Sequence, residues 1–154
     1  MLIVFFDSQG IVHKDFVQEG CTVNAEYYKG VLDHLISRIR RVRPALHRTR
    51  GDFFLLHDNA PAHSAAKIRQ FLTQKQVATL NHPPYSPDLS PPDYFLFPKA
   101  KLQLKDARFD TIEEIQKAVT DQLNKISAED FSNAMKKLGT RANLCITSNG
   151  SYFE

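Results

Sequence analysis

The N-terminal part of the chain places short apolar runs on either side of turn residues before it becomes helical. Residues 2–6 form a continuous run of β-forming side chains, residues 7–10 are polar or glycine, and residues 11–17 resume the apolar pattern. This pattern predicts a hairpin over residues 2–17. Apolar side chains then recur at helical spacing from Tyr28 to Val42, behind the N-cap residue Asn24. We therefore expect a helix over residues 24–43 that ends at Pro44.

The middle of the chain alternates strand patterns with helix patterns. The run from Phe53 to Leu56 is apolar on both faces, which predicts a strand over residues 53–58 in the middle of a sheet. Pro61 suits the first position of a helix over residues 61–75, and a short strand is expected over residues 77–81. This alternation favours an α/β fold with a partly parallel sheet, in which functional sites lie at the carboxyl ends of strands.

The last third of the sequence is first rich in proline and then helical. Six of the eight prolines lie between Pro83 and Pro98, which indicates a rigid loop over residues 82–92 that leads into a helical part over residues 91–139. Ser90, Thr111 and Ser127 stand where N-caps are expected, and Gly139 is expected to end the last helix. For 154 residues, one domain over residues 1–154 is the default expectation.

Two aspartates carry the clearest chemical meaning. Asp58 follows the apolar strand, Asp93 falls in the first turn of a predicted helix, and thirty-four residues lie between them. Carboxylate oxygens are preferred ligands of Mg²⁺ and Mn²⁺, and these ions assist phosphodiester cleavage. The spacing alone leaves a second interpretation open, in which Asp58 only ends a strand and Asp93 only caps a helix. Asp7 is expected to form a turn rather than to join them.

Residues 34–51 contain six arginines and no acidic residue. A basic helix end of this kind suits contacts with nucleic-acid phosphates. Cations at a solvated helix C-terminus are also favourable without any ligand, so both interpretations stay open. The net charge of +3 favours an acidic partner but is too small to name one. The candidate DNA contacts are Arg38, Arg40, Arg41 and Arg43.

The other reactive side chains favour ordinary roles. His57, His63 and His82 show no ligand spacing of a zinc site, so hydrogen bonding or packing is expected of them. Cys21 and Cys145 form no disulfide framework and are expected to be reduced thiols. The apolar start of the chain stops after six residues, which predicts a strand rather than a signal peptide or a membrane span.

Two long motifs resemble the catalytic domain of mariner-family transposases. They read HDNAPAH at residues 57–63 and HPPYSPDLSPPDYFLF at residues 82–97. The segments FFDSQGIV at residues 5–12 and NGSYFE at residues 149–154 also match, so the resemblance covers the whole chain. It implies a ribonuclease-H-like (retroviral-integrase-like) fold, two Mg²⁺ or Mn²⁺ ions held by three acidic residues, and cleavage and strand transfer of DNA in cut-and-paste transposition.

The resemblance also assigns residues and partners. It implies that Asp58 and Asp93 are the second and third acidic residues of the catalytic triad, both catalytic and metal-binding. His57, Asn59 and His63 are associated with the first motif. The partners that it implies are transposon inverted-repeat DNA and a second copy of the chain, with no membrane, and the expected location is the nucleus.

One part of the family pattern has no match in this sequence. The first catalytic aspartate of the family lies in a Thr-Gly-Asp-Glu segment, and Asp7 does not align with it. The resemblance therefore implies an incomplete fold that lacks the first central strand, with unpaired sheet edges and weak or absent catalysis by this chain alone. The alternative is a non-catalytic remnant that binds nucleic acid, or a domesticated module related to the methyltransferase–transposase fusion proteins.

Overall fold

The computed structural model describes residues 1–48, 53–80, 82–83 and 86–147, without the side chains of residues 47 and 48. The chain divides into two units. The first contains residues 1–6 and 11–85, and the second contains residues 7–10 and 86–154. The predictions for residues 49–52, 81, 84–85 and 148–154, including Arg50 and the NGSYFE ending, lie outside the described residues, as does the side chain of Arg48.

The predicted N-terminal hairpin is present. Strand β1 (Leu2–Asp7) pairs with strand β2 (Gly10–Phe16). At the turn, Asp7 Oδ1 accepts hydrogen bonds from the backbone N–H groups of Gln9 at 2.9 Å and Gly10 at 3.2 Å, which confirms the turn-forming role of Asp7. Gly10 has a φ of +133°, a conformation that side chains with a Cβ rarely adopt.

The predicted amphipathic helix is also present, as α1 (Ala25–Val42). The Asn24 side chain accepts from the Tyr27 N–H at 2.8 Å, so Asn24 is the N-cap. A five-residue helix, α2 (Pro44–Arg48), follows directly. The apolar face of α1 provides more buried residues than any other element of the first unit, and these residues are Tyr28, Val31, Leu32, Leu35 and Ile39.

The next strands are shorter and less enclosed than the sequence predicts. Strand β3 (Phe54–Leu56) pairs in parallel with strand β4 (Ala78–Leu80), with Leu55 opposite Thr79. Parallel pairing is confirmed, but the prediction of a strand buried within a sheet is wrong, since the Phe54 side chain is 58% exposed. Among the described residues β3 has β4 as its one paired neighbour, which leaves its other edge and one face uncovered.

The single helix predicted over residues 61–75 is in fact two helices. Helix α3 (Pro61–Ser64) ends at Ala65, whose backbone is extended with ψ of 147°, and helix α4 (Ala66–Gln74) begins immediately afterwards. The Ala65 carbonyl accepts from the Ile68 and Arg69 N–H groups at 3.0 and 3.2 Å, and the Arg69 Nε–H donates to the Ser64 carbonyl at 3.1 Å. These bonds satisfy the backbone groups that the break would otherwise leave unpaired.

In the second unit the proline-rich segment becomes helical in steps. A 3₁₀ turn (Pro87–Leu89) precedes a π-helical turn (Pro92–Leu96) that continues into helix α5 (Phe97–Leu104). The Ser90 carbonyl accepts from the Asp93 and Tyr94 N–H groups, so the helical part begins here as predicted. The prediction of a side-chain cap at this position is wrong, because no side chain caps the turn. The wide turn is closed by a bond from the Phe97 N–H to the Pro92 carbonyl. Pro98 has no N–H with which to continue an ordinary α-helical ladder.

Two longer helices complete the second unit. Helix α6 (Ile112–Asn124) is capped by Thr111, and helix α7 (Ala128–Thr147) begins where Ser127 accepts from the Asp130 N–H, so both predicted caps are confirmed. The prediction that Gly139 ends the last helix is wrong, because α7 continues for two further turns. A glycine within a helix interior costs only about 1 kcal/mol relative to alanine, which α7 tolerates. No described helix is long and apolar enough to cross a membrane.

Candidate functional site

The first candidate region lies at the carboxyl end of β3. Parallel pairing of β3 with β4 brings the carboxyl ends of both strands to the same edge, which is where sites of α/β folds occur. Residues 57–60 follow β3 directly and connect it to α3. The HDNAPAH motif is therefore a strand end, a tight connection and the first turn of a helix.

Asp58 lies in this connection with its side chain 60% exposed. Its Oδ1 atom accepts from the Ala60 N–H at 3.1 Å, a local turn that sets the chain direction into Pro61 and α3. The same Oδ1 lies 2.6 Å from His63 Nδ1, although the His63 ring is not aligned for a hydrogen bond. Both of these contacts fall on Oδ1, so neither of them uses the second carboxylate oxygen.

An aromatic stack supports Asp58 from the protein side. The Tyr28 and His63 rings stack with centroids 4.0 Å apart, and the His57 and His63 rings are nearly parallel at 5.4 Å. The Tyr28 hydroxyl lies 2.9 Å from His57 Nδ1. Because Tyr28 is only 1% exposed, it fixes the stack to the core of the first unit, and the stack in turn limits the positions that the Asp58 carboxylate can take.

Burial decides the charge of this stack. Burial, with a smaller contribution from His63, lowers the pKa of His57 to about 4 against the opposing effect of Asp58. Burial, and secondarily the charge of Asp58, raises the pKa of the Tyr28 hydroxyl. At neutral pH Tyr28 and His57 are both uncharged, so a neutral hydrogen bond joins the Tyr28 hydroxyl to His57 Nδ1.

Asp58 and its neighbours line an open pocket of about 430 Å³ in the first unit. Asn59 also lines it and donates from Nδ2 to the His82 carbonyl, which ties the connection after β3 to the segment after β4. Arg69 of α4 is the cation of the lining, and Thr73 and Thr79 add hydroxyl groups. The pocket thus presents one carboxylate, which can bind a cation, and one guanidinium, which can bind an anion, together with several polar groups.

Asp93 lies in the second unit, in the π-helical turn, with an exposed side chain. Its neighbour Tyr94 donates to the Ala134 carbonyl at 2.7 Å, and the Arg141 guanidinium lies 4.6 Å from the centre of the Tyr94 ring. Leu96 in the same turn is fully buried. Burial raises the pKa of Tyr94 to about 12, although Arg141 opposes the rise. One side of the turn is therefore anchored to α7, and its other side carries Asp93. Turns of this π type are frequent at functional sites.

The four candidate arginines at the C-terminal end of α1 do not form one uniform surface. Arg40 and Arg41 are exposed in the last turn of the helix. Arg38 is half-buried, and its Nε–H donates to the Val12 carbonyl at 3.4 Å. Arg43 is half-buried at the C-cap, where its backbone N–H donates to the Ile39 carbonyl. Arg40 and Arg41 are thus the pair best placed to meet a phosphate backbone, while Arg38 and Arg43 also have structural contacts.

The geometry and the motifs agree with a known family. The sequence profile described as DDE superfamily endonuclease matches residues 2–116. The chain belongs to this family. The mariner Mos1 transposase of Drosophila mauritiana is 34% identical over 154 residues, and the human histone-lysine N-methyltransferase SETMAR is 31% identical over the same length. All of this chain is matched in both alignments, but it spans only 45% and 22% of those two proteins.

Solved structures of the Mos1 transposase share the fold. The Mos1 catalytic domain with raltegravir and Mn superposes with a TM-score of 0.94 at 35% identity, covering 99% of this chain and 76% of that one. A pre-cleavage Mos1 transpososome gives a TM-score of 0.95 at 34% identity, covering 99% of this chain and 45% of that one. This member of the DDE family is therefore a homologue of the mariner transposase catalytic domain, with the ribonuclease-H-like fold that its sequence predicts.

Proposed function

We propose that this chain provides the second and third metal-binding aspartates, Asp58 and Asp93, of a mariner-type DNA-cleaving domain that acts on transposon ends in the nucleus. The observation that carries the proposal is the exposed Asp58 carboxylate at the carboxyl end of β3, held within a motif that follows the family's pattern. Relatives support the DNA substrate, since Mos1 has been solved in paired-end complexes and with a left transposon end.

The residues present fit a hard divalent cation. Mg²⁺ and Mn²⁺ prefer carboxylate oxygens, and the protein contacts of Asp58 both fall on its Oδ1 atom. Catalytic-domain structures of Mos1 were solved with each of these two metals. A bound ion would stabilise negative charge that develops on the phosphodiester oxygens. For its part, the chain fixes Asp58 through the Ala60 N–H and the Tyr28–His63 stack, and it fixes Asp93 through the anchored π-helical turn.

We further propose that the chain is weakly active or inactive alone and needs a third carboxylate from another segment or another chain. This sequence contains no Thr-Gly-Asp-Glu segment, the segment that the resemblance associates with the first catalytic aspartate. Each described strand has one paired neighbour, so β1 and β3 both have an edge that an added strand could use. In this proposal an added strand carries the missing aspartate and also completes the sheet.

A Mn²⁺-dependent plasmid-nicking assay tests the proposal. It compares the chain with a fusion that places a strand containing Thr-Gly-Asp-Glu before Met1, and each form is made with Asp58→Ala, with Asp93→Ala and with the exposed-surface control Asp106→Ala. We expect nicking from the fusion, a loss of about 100-fold or more with either site variant, and no change with the control. These losses correspond to the several kcal/mol that a metal ion supplies to the transition state. Nicking that is insensitive to Asp58→Ala and Asp93→Ala would overturn the proposal.

Mn²⁺ binding measured by electron paramagnetic resonance separates the metal site from catalysis. We expect Asp58→Ala and Asp93→Ala to release Mn²⁺ that the parent fusion and Asp106→Ala retain. Retention of bound Mn²⁺ by both site variants would remove these aspartates from the metal site, whatever the nicking assay shows.

A second candidate function is non-catalytic binding of nucleic acid, which the exposed Arg40 and Arg41 in the last turn of α1 favour. Each phosphate contact contributes about 0.9 to the slope of log affinity against log salt concentration. We expect Arg40→Ala/Arg41→Ala to reduce this slope by about two for duplex DNA. Lys136→Ala/Lys137→Ala, which removes two cations from α7, is the charge-matched control. An unchanged slope in the arginine variant would assign Arg40 and Arg41 to a merely solvated helix face.

A further inference from the structure

Three side chains of the first unit gather away from the aspartate motifs, between β2 and α1. His13 and Asp15 are alternate residues of β2 and therefore point to the same side of that strand, and His34 lies on α1. One potential ligand atom from each of these residues lies within 4.8 Å of the other two. The His13 and His34 rings meet edge to face with centroids 6.3 Å apart. We propose that His13, Asp15 and His34 form a binding site for a divalent transition metal such as Zn²⁺.

The donor set differs in kind from the paired aspartates. Two imidazoles and one carboxylate are ligands of zinc and of other borderline metals, whereas Mg²⁺ takes oxygen ligands almost exclusively. Ligand atoms on a tetrahedral Zn²⁺ ion at about 2.0–2.1 Å lie roughly 3.3 Å from one another. Metal binding therefore requires side-chain rotations that bring the ligand atoms closer together, and the exposed His34 is the least restricted of the three.

A second observation also indicates a missing partner. The His13 Nε2 atom is buried and has no hydrogen-bond partner among the described residues. A buried polar atom in this state costs free energy unless something binds it. Burial also lowers the pKa of His13, with further lowering by Arg38 and His34 and an opposing effect of Asp15, in keeping with the buried position of Nε2.

The site has a structural consequence for the first unit. Its ligands come from two different elements, so a bound ion ties β2 to α1, the helix that carries Arg40 and Arg41. The exposed His34 gives the ion a path from solvent, and a water molecule can complete the four ligands, as in zinc sites with three protein ligands. Because none of the three residues belongs to the aspartate motifs, this site stands or falls independently of the proposed function.

Titration with Zn²⁺ alone, followed by calorimetry, tests the site. The background variant Asp58→Asn/His63→Gln removes a competing carboxylate and imidazole from the pocket. In that background we expect one Zn²⁺ per chain, with an affinity at least tenfold weaker after His34→Ala, since even changes outside the ligand shell cost about 10–100-fold. The control Asp33→Ala removes an exposed acid beside His34 and should bind like its parent. Equal affinities with and without His34, or no binding to the parent, would overturn the proposal.

Two further measurements distinguish metal binding at this site from a folding defect of the variant and from metal binding by a cysteine such as Cys21. Zn²⁺ should raise the unfolding temperature of the parent and of Asp33→Ala but not of His34→Ala, and all three should unfold alike in the presence of a chelator. With Co²⁺ as the probe, nitrogen and oxygen ligands should give visible ligand-field bands without the near-ultraviolet charge-transfer band of a thiolate. A thiolate band would assign the metal to a cysteine and would contradict the proposed ligands.

Discussion

The Tyr28 hydroxyl and His57 Nδ1 lie 2.9 Å apart and join helix α1 to the residue that follows strand β3. Tyr28 is buried in the core of the first unit, and its ring also stacks on His63. One tyrosine of an amphipathic helix therefore sets the positions of both histidines of the HDNAPAH motif. Asp58 lies between them in the sequence and beside His63 in space. Through His63, it is therefore linked to the buried Tyr28.

We expect Tyr28→Phe to lower the free energy of unfolding by about 0.5–1.5 kcal/mol, because it removes a buried hydrogen bond while keeping the ring. Urea unfolding followed by circular dichroism measures the change. Tyr27→Phe, at the preceding position of α1, is the matched control and should stay within about 0.5 kcal/mol of the parent. Equal losses in the two variants would show that the bond between Tyr28 and His57 does not contribute to stability.

The lowered pKa of His57 predicts a pH dependence with a definite sign. Its pKa is about 4 in the folded chain and about 6.5 in an unfolded one, so between these values the unfolded state binds more protons. The contribution of His57 to stability is therefore complete above pH 6.5 and declines as the pH falls toward 4. We expect His57→Gln to lose less stability than the parent between pH 7 and pH 4.5 in urea midpoints. A parallel decline in parent and variant would contradict the assignment.

The sequence was most informative where side-chain pattern and local chemistry agree. The apolar spacing of α1, its Asn24 cap and the Asp7 turn were all predictable, because each depends on residues close together in the chain. The family and its fold followed from two long motifs, and the comparisons confirm both. The metal and DNA roles of Asp58, Asp93 and the α1 arginines stay predictions, since they depend on ligands that no contact within the chain reveals.

What the sequence missed depends on contacts between distant residues. The helix break at Ala65 is stabilised by the Arg69 side chain, and the exposure of Phe54 reflects the short pairing of β3. In the cluster of His13, Asp15 and His34, the helix residue His34 lies nineteen positions after Asp15. No local spacing of ligands therefore indicates the cluster in the sequence. Alternation of His13 and Asp15 on β2 was the available signal, but it identifies a ligand pair only once the helix is placed against the strand.

In the second unit, Tyr94→Phe tests whether the hydrogen bond from the Tyr94 hydroxyl to α7 stabilises the π-helical turn. Tyr94 donates to the Ala134 carbonyl at 2.7 Å, and its loss should reduce stability by about 0.5–1.5 kcal/mol. Phe95 and Leu96 lie in the same turn as Asp93, so hydrogen exchange of their amides should become faster when the turn loses this hydrogen bond. Tyr27→Phe, which lies in the first unit, should leave the exchange of these two amides unchanged. Unaltered exchange in Tyr94→Phe would mean that burial of Leu96 alone holds the turn.

Replacing three glycines by alanine should change the stability in opposite directions, because their backbone conformations differ. Gly30 in α1 and Gly139 in α7 are helical, and a Cβ at either position would meet no atom within 4 Å. Replacement by alanine should therefore stabilise the chain by about 0.5–1 kcal/mol at each site, since alanine loses less conformational entropy on folding. Gly10 has a φ of +133° at the hairpin turn, so Gly10→Ala must strain the backbone and should destabilise. Thermal unfolding of the three single variants measures these signs. A stabilising Gly10→Ala would contradict the turn geometry of the hairpin, and a destabilising Gly139→Ala would contradict the continuous helix through residue 139.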